Sequence, residues 1–324
     1  MKILGMDGWG SARTTVRVQA PTLRRTVKCL RPARPVPYAA AVTVREVIQR
    51  SAEFLQRHGV DSPRLHAELL LAHLLKLPRL QLYLNHDRAL TEAETAALRS
   101  LVQRRAKREP LQHLVGTTNF FGLELAVTPA ALIPRPETET LAELAAAALA
   151  KCASPTPHAL DFGTGTGCLA VTLAVQCPRA RVHALDLSEA ALNLARQNAA
   201  RHALTERLTF HLSDGFRALP ADLRFDLVVS NPPYIPTADL ATLPPEVRDF
   251  DPRAALDGGA DGLDFYRLLA NEAPAWLNAG GGLFAEFGDG QEAALPGLFN
   301  DSGWRAIALH RDLTGRPRVL EAWR

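Results

Sequence analysis

Residues 225–234 read Phe-Asp-Leu-Val-Val-Ser-Asn-Pro-Pro-Tyr. Phe225 to Val229 have the make-up of a short buried strand, apolar and partly β-branched, with one acid at Asp226. Ser230 and Asn231 end it. Pro232 and Pro233 donate no hydrogen bond and fix φ, so the backbone beyond the strand is rigid. Such a turn suits the handling of a planar –NH2 group. The Asn231 side-chain oxygen and a nearby main-chain carbonyl can accept both hydrogens of an amide or exocyclic amine. The prolines present carbonyls without competing donors, and Tyr234 can lie flat against the planar group. Taken alone, the same residues also describe a strand that ends in a proline-rich turn.

A second cluster precedes this one. Leu160-Asp161-Phe162-Gly163-Thr164-Gly165-Thr166-Gly167 follows one predicted strand and opens a predicted helix. Glycines there permit a tight turn and close approach of backbone to a ligand. In an open α/β sheet, ligands bind outside the carboxyl ends of strands. The spacing is G-x-G-x-G, which alone fits a dinucleotide fold nearly as well. Asp186 ends the next predicted strand, where it can accept hydrogen bonds from ribose hydroxyls or serve the N-terminus of the helix after Ser188. Asp214-Gly215-Phe216 follows the third strand. Asp214 can hold an adenine amino group and Phe216 can pack on its ring, or the three can form a plain turn. The candidate cofactor site is therefore the loop Gly163, Thr164, Gly165, Thr166 and Gly167 with Asp186, Asp214, Phe216 and Asn231. The candidate substrate site is Asn231, Pro232, Pro233 and Tyr234, with Asn231, Pro232 and Tyr234 nearest the chemistry. A nicotinamide enzyme would not need the last group, whereas an S-adenosylmethionine methyltransferase does. Asn-Pro-Pro-Tyr resembles the signature of methyltransferases whose targets are adenine N6, cytosine N4 and the glutamine side-chain amide.

The elements that must position these residues are read from the apolar pattern. From residue 158 it alternates β-α-β-α, implying a doubly wound, Rossmann-like parallel sheet with helices on both faces. Seven strands are predicted, at 158–162, 181–186, 207–212, 225–230, 282–287, 304–310 and 318–323. The last two are joined by a loop alone and suggest an antiparallel hairpin at a sheet edge. Helices are predicted at 137–151, 167–176, 188–202, 264–277 and 291–302. Upstream, Thr43-x-x-Glu46 and Thr91-x-x-Glu94 are capping boxes, and Ser62-Pro63 reads as N-cap and first helical residue. Three helices are expected, the last ending in the basic run 104–108, which either complements the helix dipole or faces a substrate. Residues 117–128 alternate around Gly122 as a hairpin. The organisation expected is a basic extension at 1–41, a helical substrate-recognition domain at 42–113, a β-hairpin linker at 114–133 and the methyltransferase domain at 134–324.

Composition bounds the setting. The chain has 324 residues, 47% of them hydrophobic and 22% charged, enough for two domains with a core. No apolar run reaches the ~20 residues of a membrane-spanning helix. Four cysteines show neither a C-x-x-C pair nor metal-ligand spacing, and a reduced, cytoplasmic setting is expected. Residues 1–41 hold eight Lys/Arg and one acid, and are expected to be disordered and of no catalytic consequence. The remainder holds 29 Lys/Arg against 33 Asp/Glu, so the folded part is mildly acidic. That counts against a duplex-DNA enzyme, which needs a basic surface.

Several longer motifs add to this. They are Glu109-Pro110-Leu111-Gln112-His113 with Gly116, the run Leu132 to Glu139 (LIPRPETE), the Gly163–Gly167 loop, Asn231–Ile235 and Asp261 to Tyr266 (DGLDFY). With them the chain, over residues 43–324, resembles the HemK-type protein-(glutamine-N5) methyltransferases, the release factor glutamine methyltransferases. The resemblance implies an N-terminal helical domain, a hairpin linker and a seven-stranded class I methyltransferase domain using S-adenosyl-L-methionine. The implied substrate is the glutamine of the Gly-Gly-Gln loop in class 1 peptide-chain release factors, and a monomer acting on neither nucleic acid nor membrane is expected. By position, Gly163 to Gly167 and Asp186 would bind cofactor, Asn231 would touch cofactor and substrate, and Pro232, Pro233 and Tyr234 the glutamine. The family often has Trp or Phe next to the acid after strand three. Here Gly215 intervenes before Phe216, which leaves open the residue that covers the adenine. The alternative activity is methylation of a nucleic-acid base at adenine N6, which would need a basic groove and a base-flipping pocket.

Overall fold

A computed structural model of the protein describes residues 42–324. The disorder expected of residues 1–41 lies outside them. The described residues open with five helices: α1 (Val44–Arg57), α2 (Pro63–Leu75), α3 (Arg79–Leu84), α4 (Glu92–Ala106) and α5 (Leu111–Val115). Both capping boxes form. Thr43 accepts from Glu46 N, Thr91 accepts from Glu94 N, and each glutamate reaches back to the cap backbone. Pro63 opens α2 as expected, but Ser62 makes no side-chain cap, because its φ of 48° holds it in the left-handed region. The helices close on their own core of Val44, Ile48, Leu55, Leu70, Leu71, Leu98 and neighbours. The short helices α3 and α5 were not expected, since neither is long enough to show a period.

The hairpin forms as expected from β1 (Thr117–Phe120) and β2 (Leu123–Ala126), turning at Phe121-Gly122. Next come α6 (Thr138–Lys151), β3 (His158–Phe162), α7 (Cys168–Gln176), β4 (Arg181–Asp186), α8 (Glu189–Arg201), β5 (Leu208–Leu212) and β6 (Phe225–Ser230). The chain ends with α9 (Pro245–Arg248), α10 (Asp264–Glu272), β7 (Leu277–Glu286), α11 (Leu295–Asp301), β8 (Arg305–Arg311) and β9 (Pro317–Trp323). The main sheet has the order β5-β4-β3-β6-β7-β9-β8. Its first five strands are parallel, and β9 and β8 are added antiparallel, as the sequence suggested. One core cluster joins α6 and α7 to one face of the sheet, and a second joins α10 and α11 to the other. No helix among the described residues is long and apolar enough to cross a membrane.

The two helix boundaries that differ most from the sequence reading have local causes. The helix expected at 264–277 stops at Glu272. Pro274 converts the next few residues into a 3-10 segment, so β7 starts at Leu277. The helix expected at 291–302 begins only at Leu295, because Pro296 has no N–H to bond the Glu292 carbonyl and so interrupts the ladder that would run back to Gln291.

The basic end of α4 does more than complement the helix dipole, because part of it turns inward while Arg104 and Lys107 stay exposed. Arg105 is 4% exposed. It donates to Glu109 O at 3.1 Å, to His66 Nδ1 at 3.2 Å and to Glu246 Oε1 of α9 at 2.8 Å. Arg108 pairs with the other oxygen of Glu246 at 2.8 Å. The N-terminal helices are thus tied to the segment beyond Tyr234. Glu246→Ala would leave a buried guanidinium without its countercharge, which costs about 3 kcal/mol. Chemical denaturation is expected to show that loss, and a variant as stable as the parent would refute the clamp.

Candidate active site

The parallel strand order reverses between β3 and β6: β4 and β5 lie to one side of β3, β6 and β7 to the other. A crevice opens at such a switch point beyond the strand ends. Phe162 pairs with Ser230 in register, and Ser230 Oγ donates to Phe162 O at 2.8 Å. The glycine loop after Phe162 and the turn that begins at Asn231 are therefore neighbours. A cavity of about 360 Å3 lies there, within the range of small-molecule sites.

Gly163, Thr164, Gly165, Thr166, Asp186, Asp214, Asn231, Pro232 and Pro233 all line this cavity. The loop is held from below. Gly163 N and Thr164 N donate to Leu185 O at 3.0 and 2.9 Å, and Gly167 N donates to Thr164 O at 2.8 Å. Gly165 N donates to Asp186 Oδ2 at 2.8 Å. The loop N–H groups are thus largely consumed inside the protein and do not form a phosphate nest, which sets the loop apart from a pyrophosphate cradle. Asp161 anchors the same loop. Its Oδ2 accepts from Thr164 Oγ1 at 2.6 Å and from Ala170 N at 3.0 Å, and burial pushes its pKa up to about 7. Asp186 serves the start of the next helix and also lines the cavity. Oδ1 accepts from Ser188 N at 2.9 Å at the start of α8, while the carboxyl lines the cavity with further acceptor capacity on each oxygen. Asp214 sits exposed at the rim and pairs with Arg217.

Three candidate residues are not among those lining this cavity. Gly167 has φ +80°, and a Cβ there would stand 3.0 Å from Ala195 Cβ, so it serves the close approach of α7 to α8. Phe216 is 2% exposed and packs on Phe162 and Trp276, with ring centroids 5.0 and 5.9 Å away. The reading of Phe216 over an adenine ring is thereby corrected: Gly215 bends the chain so that the ring enters the core. The apolar walls come instead from Leu187 after β4 and from Phe265 and Leu268 of α10. The third is Tyr234, whose half-buried ring faces Gly288, where a Cβ would lie 2.8 Å from Tyr234 Cδ2. Burial pushes the Tyr234 phenol up to about 12.

Other residues of the site were not singled out in the sequence. Gln291 accepts from Gly288 N at 2.9 Å and donates to Tyr234 O and Gly262 O, each at 3.0 Å, which pins the end of the proline turn. Asn198 of α8, fully buried, accepts from Ala126 N and donates to Ala126 O and Thr166 O, joining the hairpin to the glycine loop. Thr138 accepts from Asn231 Nδ2 at 3.1 Å. Arg135 pairs with buried Asp251 at 2.6 Å, and both lie in segments that bound the cavity. For Arg135 and Thr138 the LIPRPETE run carried a signal, although its polar residues read equally as helix capping. A single polar residue in a helix or after a strand, such as Asn198 or Gln291, carries none.

A mixed seven-stranded sheet with this crevice defines a class I methyltransferase. Residues 46–116 match the PrmC N-terminal domain and residues 140–242 the methyltransferase small domain. The release factor glutamine methyltransferase of Geobacter sulfurreducens is 48% identical over 281 residues, covering 86% of this chain and 95% of that protein. That of Deinococcus radiodurans is 42% identical, covering 87% and 98%. Among solved structures, the hMettl16 catalytic domain in complex with a MAT2A 3′UTR hairpin shares the fold at TM-score 0.52 and 15% identity, over 74% of this chain and 84% of that one. The chain belongs to the family of release factor glutamine methyltransferases.

The contact at Gly167 gives a direct test of its packing role. Gly167→Ala places a side chain in the left-handed region and against Ala195, at a cost of about 2 kcal/mol. A lowered melting temperature in the ligand-free protein is expected, and an unchanged one would return Gly167 to the ligand site.

Proposed function

We propose that the protein transfers a methyl group from S-adenosyl-L-methionine to N5 of the glutamine side chain in the Gly-Gly-Gln motif of class 1 peptide-chain release factors. The observation that carries this reading is the Asn231 carboxamide on the wall of the cavity, its Nδ2 occupied by Thr138 and its Oδ1 left as an acceptor. A base-directed reading is not favoured, since the named relatives at 38–48% identity are glutamine methyltransferases. A release-factor substrate would be met in the cytoplasm, which supports that location for the enzyme.

The residues fit the cofactor. Asp186 supplies acceptors for ribose hydroxyls, the turn from Gly163 to Thr166 lets backbone approach closely, and Leu187, Phe265 and Leu268 offer apolar walls for a base. Asp214 at the rim suits an exocyclic amine. When bound, S-adenosylmethionine supplies an electrophilic methyl group carried on a sulfonium. The protein's task is to bring a poor nucleophile to it, because the amide lone pair is conjugated with its carbonyl. Asn231 Oδ1 and the Pro232 carbonyl accept the two amide N–H groups and fix the plane of the amide. Those bonds strengthen as positive charge grows on nitrogen, which is stabilisation by preorganised dipoles. Pro232 and Pro233 keep the acceptors from drifting, and positioning alone contributes several kcal/mol. Tyr234, backed by Gly288, stiffens the same turn beside the glutamine. The N-methylated, protonated amide is a strong acid, so its proton passes to water without a dedicated base.

Mass spectrometry of release-factor peptides before and after incubation tests the assignment: a gain of one methyl on the Gly-Gly-Gln glutamine is expected. Asp186→Ala loses charge-assisted bonds of about 1.5–3 kcal/mol, so cofactor affinity by calorimetry should fall roughly tenfold or more. Unchanged affinity would remove Asp186 from the site. Asn231→Ala should lower kcat about a hundredfold, the effect of losing one acceptor of about 3 kcal/mol. Cofactor affinity should change less. A near-normal single-turnover rate at saturating cofactor would exclude this mechanism.

A further inference from the structure

Asn231 can grip an amide N–H only if its own carboxamide is turned with Oδ1 toward the cavity. The two ends of a carboxamide have nearly the same shape, so its surroundings must choose between the two orientations. Register brings one neighbour. Ser230 of β6 lies opposite Ala285 of β7, which sets Glu286 beside Asn231 at the strand ends. Tyr266 Oη donates to Glu286 O at 2.7 Å and fixes that end of β7. The first residue of α6, Thr138, supplies the other neighbour, with Asn231 Nδ2 donating to its Oγ1 at 3.1 Å. Thr138 and Glu286 are each 1% exposed. Burial pushes the Glu286 carboxyl up to about 7, against the Thr138 hydroxyl, Arg318 and the Asn231 amide, which favour its ionised form. Its Oε2 has no hydrogen-bond partner. An acceptor-rich group there attracts an N–H and repels a carbonyl oxygen, so a flipped Asn231 would set two oxygens against each other in a dry interior.

We propose that Thr138 and Glu286 are positioning residues that hold the Asn231 carboxamide with Nδ2 inward and Oδ1 facing the methyl-accepting amide. This rests on the reading of Asn231 as the acceptor for that amide. The Thr138 hydroxyl accepts from Nδ2 and turns its own hydrogen toward Glu286, so the chain of hydrogen bonds runs one way and points away from the cavity. Neither residue touches the reacting atoms.

The test reads the Asn231 side-chain amide directly, in the 15N-labelled full chain without cofactor or substrate, assigned by its absence in Asn231→Ala. In the parent protein the amide pair should exchange slowly with solvent. Thr138→Val should speed that exchange about tenfold, the loss of one net hydrogen bond, and Thr138→Ser should restore it. With cofactor and release factor, Thr138→Val should lower kcat about tenfold at nearly unchanged cofactor affinity. In an Asn231→Ala background it should lower kcat no further, because its effect passes through Asn231. Glu286→Gln keeps the volume of the side chain and is expected to give the same pattern if Thr138→Val does not fold. Unchanged exchange in these variants, or an equal slowing in both backgrounds, overturns the proposal. A parent enzyme that leaves the release factor unmodified while its amide exchanges slowly overturns the substrate reading and leaves the positioning role standing.

Discussion

The in-register parallel pairing of β3 with β6 is the constraint on which the rest of the site depends. A slip of one residue would turn every side chain of a strand to the other face of the sheet. Here that would send Leu227 and Val229 out of one core cluster and Val228 out of the other. Both faces are buried, so the register is specified twice. Its consequence at the strand ends is that Gly163 and Asn231 begin their loops side by side. β4 draws the first loop further in through Leu185 O, which accepts from Gly163 N and Thr164 N. β7 brings Glu286 to the other side of Asn231. Packing of apolar residues thus sets the positions of polar ones that make no contribution to it.

Beyond the strands, position is set by buried polar side chains that bond to backbone or to an opposite charge. Asp161 and Asn198 hold the glycine loop, Gln291 holds the proline turn, and Glu246 and Asp251 hold the segment after it to α4 and to Arg135 ahead of α6. Burial of such groups is unfavourable unless they are bonded, and a lost partner costs about 1–3 kcal/mol. Each clamp therefore penalises any other loop conformation, which irregular backbone could not do by apolar packing alone. Prolines at 232, 233, 134 and 136 reduce the number of conformations left to penalise.

Much of this was legible in the sequence, and the reasons differ by element. Strands β3, β4 and β6 were placed to the residue because short apolar runs bounded by Gly, Asp or Pro have sharp ends. The capping boxes at Thr43 and Thr91 are local chemistry and formed as expected. Most of the ligand-site residues named from the sequence meet at one cavity, because the carboxyl ends of parallel strands must converge there. The illegible part depends on contacts between distant segments. The sequence cannot say that Phe216 turns into the core and leaves its place to α10, or that Gly167 is needed for Ala195. Nor can it pair Arg105 with Glu246, 141 residues away. Ser62 failed as a cap because its backbone lies in the left-handed region and not in the extended one that a capping side chain needs.

The polarity of the cavity bears on which ligand it suits. Among the residues that line it the one Lys or Arg is Arg135, and its guanidinium is tied to Asp251 at 2.6 Å. The loop N–H groups that could have met a phosphate are bonded to Leu185 O, Thr164 O and Asp186. The lining residues instead carry acceptors: the Asp186 and Asp214 carboxyls, the Asn231 carboxamide, and a turn in which Pro232 and Pro233 have no N–H to offer. In a desolvated site such a set disfavours an anion and favours positive charge. A pyrophosphate would meet acceptors where it needs donors. A positively charged group would meet acceptors. Where the loop's own backbone hydrogen bonds go thus counts against the dinucleotide that its G-x-G-x-G spacing left open in the sequence.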